Sequence, residues 1–180
     1  MRIVGISGSL RAGSFNTALL GAAVELAPAG MTITPASIRG VPLYDGDLEA
    51  AEGVPAAVEA LKDAVAGADG LLLVTPEYNN SIPGVFKNAV DWMSRPASDI
   101  ARVFGGRRVG LIGASPGGFG TILSQNAWLP VLRTLGCELY GGRLMLSRAG
   151  QAVADGKLAD EAARKTLAAY LAGFADFVRG

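Results

Sequence analysis

The chain has 180 residues, half of them apolar and 18% charged, which excludes a disordered polypeptide and fits one domain spanning residues 1–180. Sixteen basic residues balance sixteen acidic ones, which argues against a protein that binds duplex nucleic acid. The sequence has no histidine and one cysteine, Cys137; this excludes Ser-His-Asp and Cys-His catalysis, His-ligated metals, intrachain disulfides and Cys clusters.

The first element is a short apolar run, residues 2–7, which reads as a buried strand stopped by Gly8. Over residues 16–26 the apolar positions Leu19, Leu20, Ala23 and Val24 recur at helical spacing. Residues 31–38 alternate and predict a second strand, and residues 40–53, with Gly40, Pro42, Gly46 and Gly53, read as loop. Within that loop the acidic run Asp45, Asp47, Glu49 and Glu52 reads as solvated. A helix over 54–66 places Val58, Leu61 and Val65 on one face, and residues 69–75 form the clearest buried strand. A loop (76–83), a helix (84–93), an apolar strand (107–115) and a glycine-rich loop (116–120) come next. Residues 122–135 read as a helix in which Pro130 marks a kink or a split. A last strand over 137–146 is weakened by Gly141-Gly142, and an amphipathic helix runs from Leu158 toward Val178.

Strands and helices thus alternate about five times, the pattern of a parallel sheet joined by helical crossovers. Five such units fit an α/β sandwich of the flavodoxin-like type, with a five-stranded parallel sheet in order 2-1-3-4-5. Its ligand is expected at the carboxyl ends of the strands, in the loops 8–16, 75–83 and 115–120. The apolar start of the chain is too short for a secretory signal. Its most apolar stretch, 71–74, is far below the roughly 20 residues that span a bilayer, so a cytoplasmic protein is expected.

The first loop, Gly8-Ser-Leu-Arg-Ala-Gly-Ser-Phe-Asn16, follows a strand and opens a helix, where backbone N–H groups and the helix dipole favour an anion. Ser9, Ser14, Asn16 and Thr17 add donors, and Arg11 adds a guanidinium fork suited to phosphate. One polar residue there would be an ordinary helix cap; four donors with an arginine point to a phosphate. The loop lacks the lysine of a triphosphate P-loop and the G-x-G-x-x-G of a dinucleotide site, which leaves a monophosphate. The second loop, Thr75-Pro-Glu-Tyr-Asn-Asn-Ser-Ile-Pro83, is braced by two prolines and carries Tyr78, an arrangement that can lie along a flat ring or simply turn the chain. In the third, Ser115-Pro-Gly-Gly-Phe-Gly120, glycines allow a ligand close to the backbone.

Taken together, Gly8-Ser-Leu-Arg-x-Gly-Ser-x-Asn16 and Pro76-Glu-Tyr-Asn79 with Ile82-Pro-Gly-x-x-Lys-Asn-Ala-x-Asp-Trp92 resemble the NAD(P)H-dependent FMN reductase family, which includes bacterial quinone, azo-dye and chromate reductases. The resemblance runs from residue 2 to about 120. It implies a flavodoxin-like fold, bound FMN, NADPH or NADH as co-substrate, and a homodimer or homotetramer. On matching positions it implies that Ser9, Arg11, Ser14, Asn16 and Thr17 hold the FMN phosphate. Pro76, Glu77, Tyr78 and Asn79 would line the isoalloxazine ring, and Ser115, Gly117 and Gly118 would close over its other edge. A flavin that takes the hydride itself needs no catalytic side chain, in keeping with the missing histidine.

Chromate- and quinone-reducing members often carry an arginine and a tyrosine in the helix after the third loop; Leu123 and Asn126 stand there here, with Gln125 kept. The expected reaction passes electrons from NAD(P)H through FMN to a quinone, a free flavin, an azo compound or a metal oxyanion such as chromate, by a ping-pong mechanism. The rival is a flavodoxin-type electron carrier without turnover. No metal, nucleic acid or membrane is expected to take part. Trp92, Met93 and Trp128 are candidates for a subunit contact or for the core, with the helix 84–93 as the proposed contact, and Cys137 reads as inert.

Overall fold

A computed structural model describes residues 1–180. Its spine is β3 (Gly70–Val74), every residue of which is buried. In a strand, alternate side chains point to opposite faces. Leu72 and Val74 accordingly enter one core with residues of the first and last helices, while Leu71 and Leu73 enter a second core on the other face. Each core gathers 21 buried residues, so both faces of the sheet are covered.

Around β3 the strands β1 (Arg2–Ser7), β2 (Thr32–Ala36), β4 (Arg108–Ala114), β5 (Glu138–Leu139) and β6 (Leu144–Leu146) form a six-stranded sheet in the order β2-β1-β3-β4-β5, with β6 also on β4. Every pairing is parallel, with Ile3 opposite Gly70, Leu72 opposite Gly110 and Gly5 opposite Pro35. The flavodoxin-like order 2-1-3-4-5 is therefore observed. The helices are α1 (Phe15–Glu25), α2 (Gly46–Glu52), α3 (Ala56–Ala66), α4 (Gly84–Met93), α5 (Ile100–Val103), α6 (Ile122–Thr134), α7 (Ala149–Ala152) and α8 (Glu161–Arg179). None is long and apolar enough to cross a membrane.

Several expectations are corrected. The acidic run after Gly40 is not loop but helix α2, whose first turn is capped by Asp45 Oδ1 accepting from Asp47 N at 2.9 Å. The last strand is split, because the chain leaves β4 over Gly141-Gly142 and returns as β6. The final helix begins at Glu161. Before it, β7 (Val153–Ala154) and β8 (Lys157–Leu158) form a hairpin on an Asp155-Gly156 turn with both residues at positive φ. Asp160 then caps α8 by accepting from Ala163 N at 2.7 Å. Pro130 leaves α6 continuous.

Trp92, Met93 and Trp128 belong to the core on the face of α3, α4 and α6 and are fully buried, so they cannot make a subunit contact. Trp92 Nε1 donates to Pro42 O at 2.9 Å, and Asn88 of the same helix donates to that carbonyl and accepts from Tyr44 N at 2.8 Å. These bonds fasten the 40–45 segment to α4. Lys62 is fully buried, with its ammonium on Glu59 (2.8 Å), Asp99 (2.7 Å) and Arg95 O (2.8 Å); a buried ammonium is tolerated only when paired in this way.

Candidate functional site

The loops 8–16, 75–83 and 115–120 leave the carboxyl ends of β1, β3 and β4 and meet around a cavity of about 460 Å³. Ser9, Arg11, Ser14, Asn16, Pro76, Glu77, Tyr78 and Ser115 all line it, joined by Phe15, Ala114 and Pro116, which the sequence did not single out. Phe15 lies between two polar residues at the start of α1, and Ala114 ends β4. Position, not residue type, is what brings them to the site.

The loop 8–14 leaves β1 with Gly8 N donating to Val74 O at 2.9 Å. Only glycine fits there, since a Cβ would enter the buried Phe86 ring of α4. Ser14 caps α1: its Oγ accepts from Asn16 N at 3.2 Å and Thr17 N at 3.3 Å, and its own proton has no acceptor in the chain. The N–H groups of Gly13, Ser14 and Phe15 are likewise without a partner in the chain. Arg11 is exposed and pairs with no carboxylate; its guanidinium lies over the Phe15 ring, 5.2 Å from the centroid.

Asn16 is buried and does something other than reach outward. Its Nδ2 donates to Ala114 O and its Oδ1 accepts from Ala114 N, both at 2.9 Å, so the side chain clips the start of α1 to the end of β4. Thr17 does not line the cavity. Its hydroxyl is 3.1 Å from Ser7 Oγ, and it faces a neighbouring cleft behind the loop.

In the second loop Asn79 and Asn80 have φ of 50° and 60°, and Tyr78 and Ser81 exchange backbone bonds of 3.2 and 3.1 Å. This is a tight turn with both central residues left-handed, a conformation that asparagine tolerates. It leaves the Asn79 and Asn80 N–H groups unbonded within the chain and Tyr78 exposed on the cavity wall. Asn79 itself is at the tip, outside the cavity lining. Glu77 is the fastening: its Oε2 accepts from Leu123 N (2.9 Å) and Ser124 N (3.0 Å), a carboxylate placed on the amino end of α6, where Thr121 supplies no side-chain cap. Beneath it Thr75 Oγ1 donates to Pro76 O at 2.9 Å, accepts from Trp128 Nε1 at 3.1 Å and is 2.9 Å from Ser124 Oγ.

The third loop is braced from inside, since Ser115 Oγ donates to Gly120 O at 2.6 Å. Gly113, before it, has no room for a Cβ because Thr75 O and the Thr121 hydroxyl close on it. Gly117 and Gly118 are exposed, lie beyond Pro116 and do not line the cavity. Arg148 N donates to Gly117 O at 2.9 Å and so ties the loop to α7. Cys137 is remote from these loops; burial pushes its thiol up to about 12, so no thiolate forms there near neutral pH.

At one end, then, the cavity presents a free guanidinium, a hydroxyl proton and unbonded N–H groups at a helix start. At the other it presents Pro76 and the exposed Tyr78, at the start of a backbone-bonded turn. The one carboxylate in its lining, Glu77, is turned to α6.

The family model for NADPH-dependent FMN reductases matches residues 1–151. The chain is 42% identical to an NAD(P)H-dependent FMN reductase of Pseudomonas aeruginosa, over 99% of this chain and 96% of that one. It is 38% identical to a 2-hydroxy-1,4-benzoquinone reductase of a Burkholderia species, over 99% of this chain and 97% of the relative. Among solved structures, a flavoenzyme NAD(P)H:(acceptor) oxidoreductase from Paracoccus denitrificans matches 99% of this chain and 97% of its own, with a TM-score of 0.85 and 32% identity.

Proposed function

The chain belongs to the NADPH-dependent FMN reductase family, and from that premise we propose that its cavity holds FMN, takes electrons from NADPH or NADH and delivers them to a quinone. Reductase activity separates it from the flavodoxin-type carrier. The observation that carries the site assignment is the meeting, at one end of the cavity, of unpaired Arg11 with the free N–H groups of Ser14 and Phe15. That donor set suits a phosphate dianion.

Ser9, Arg11 and Ser14 bind the phosphate in this reading. Asn16 acts by holding α1 against β4, and Thr17 through its bond with Ser7. Pro76, Tyr78 and the amide of Asn79 line the ring, with Glu77 keeping their loop in place from α6. Ser115 borders the other edge, with Gly117 and Gly118 beyond Pro116 and outside the cavity lining. When bound, FMN supplies the hydride acceptor and the electron donor. The residues bind, orient and leave one side open, and no side-chain acid or base is required.

One open mouth serves both substrates, so the nicotinamide nucleotide and the acceptor alternate in a ping-pong cycle. Free flavins, azo compounds and oxyanions such as chromate reach the same mouth. The purified protein should be yellow, with about one FMN per chain. Double-reciprocal plots against NADPH at several quinone concentrations should be parallel. Protein that takes up no added FMN would end the flavin assignment; intersecting lines would end the alternating mechanism.

The reading includes a homodimer or homotetramer. Leu43, 81% exposed, and the exposed Val85 of α4 offer the contact face in place of Trp92 and Met93. Light scattering at micromolar concentration should exceed the monomer mass, and a monomer there would refute this part.

A further inference from the structure

The loop 8–14 has a second recess on its far side. Between it and the residues that follow β2 lies a cleft of about 310 Å³, and Ser9 and Arg11 line this cleft as well as the flavin cavity, so the two recesses share one arginine. The cleft's own cation is Arg39. Its Nη2 donates to Leu10 O at 2.8 Å, which fixes the guanidinium against the loop, while its other donors have no acceptor in the chain. Neither Arg39 nor Arg11 forms an ion pair, and none of the 12 lining residues is acidic. Ser37 adds a hydroxyl whose oxygen accepts from Arg39 N at 3.1 Å, leaving its proton free. Leu20, Pro35 and Ile38 supply an apolar wall.

Two unpaired guanidinium groups, free hydroxyls and an apolar wall suit a flat base carrying a phosphate dianion. FMN has a single phosphate, which the amino end of α1 takes, so Arg39 remains available to a second anion. The co-substrate supplies one: NADPH differs from NADH only by a phosphate on the adenosine 2′-oxygen, and an arginine is the usual means of accommodating it. We propose that this cleft binds the adenosine 2′-phosphate of NADPH and makes the chain select NADPH over NADH. The proposal rests on the reading that NAD(P)H reduces a flavin in the adjoining cavity. Arg39 is the specificity-determining residue, and Arg11 borders both sites.

The test uses the FMN-loaded protein and its Arg39→Ala and Arg39→Lys variants. Wild type should favour NADPH by about tenfold or more in kcat/KM, and Arg39→Ala should reduce that preference by about the same factor, the range for a hydrogen bond to a charged group. Arg39→Lys should recover part of it, since a point charge replaces the fork. Calorimetric titration with 2′,5′-ADP should show binding to wild type that is weakened in Arg39→Ala, with 5′-AMP weak on both. Equal kcat/KM for the two nucleotides in wild type, or a loss of the same size for both in Arg39→Ala, would overturn the proposal. Loss for both alike is what a merely structural role, acting through Leu10, would produce. The titration does not depend on flavin. If the protein took up no FMN, binding of 2′,5′-ADP that needs Arg39 would still support the cleft, and its absence would overturn it.

Discussion

Replacing Arg11 with alanine is expected to weaken FMN binding by about 1.5–3 kcal/mol, roughly ten- to hundredfold in Kd. The guanidinium has no carboxylate to compete for it, and the Phe15 ring 5.2 Å below keeps its plane at the phosphate end of the cavity. Its donors are therefore preorganised and unspent. Arg11→Lys should lose less, because the charge survives while the two-pronged geometry does not. Arg11 is exposed and its guanidinium touches only the Phe15 ring, so the stability of the flavin-free protein should change by no more than about 1 kcal/mol. Flavin fluorescence recovered on dilution gives the dissociation constants. Equal values for wild type and alanine would remove Arg11 from the phosphate site.

Asn16→Ala should damage the fold and the site together. The substitution strands Ala114 N–H and C=O, both buried, at about 1–3 kcal/mol for each unpaired group. In a domain of this size each kcal/mol moves the melting temperature by about 2–4 °C, so a fall of roughly 4–24 °C is expected. Asn16→Asp is the sharper variant. It has the same shape and still accepts from Ala114 N–H, but it sets a carboxylate oxygen against Ala114 O and adds negative charge beside the phosphate end. It should destabilise at least as much as alanine and repel FMN besides, more so above the carboxylate's pKa than below it. Calorimetric melting and flavin titration check the pair. Melting within about 2 °C of wild type for both variants would show that the clip carries little of the structure.

The sequence was informative where a physical constraint is local. The apolar run Leu71-Leu-Leu-Val74 made β3 plain, alternation of strands with helices pointed to a parallel sheet, and five such units fitted the flavodoxin-like order that is observed. Helix α2 escaped because none of its residues is buried, so it has no apolar periodicity; it is held instead by its Asp45 cap and by Arg95 Nε on Glu49 at 2.8 Å. The place of the three loops after strands led to the cavity around which they meet. What their side chains touch was out of reach, because the partners are distant in the chain. Asn16 meets Ala114 across 98 positions, and Glu77 meets Leu123 across 46. Both line the cavity, and the sequence alone does not show that their polar atoms are also engaged by the fold. Trp92 and Met93 show a similar limit, since large apolar side chains serve cores and interfaces alike and only burial tells which.

The two outermost strands bear on how this chain meets other chains. On one side β2 carries Pro35, which has no N–H to offer. On the other, β5 ends once Tyr140 N has donated to Val109 O at 2.9 Å, and the ladder on β4 is interrupted over Gly141–Arg143 before β6 resumes it. Neither flank presents an unbroken row of donors and acceptors on which a foreign strand could template itself, a recognised defence against edge-to-edge aggregation. Self-association of the native protein therefore has to proceed through helix faces and loops, and a concentrated solution should resist fibril growth for as long as the sheet stays closed off in this way.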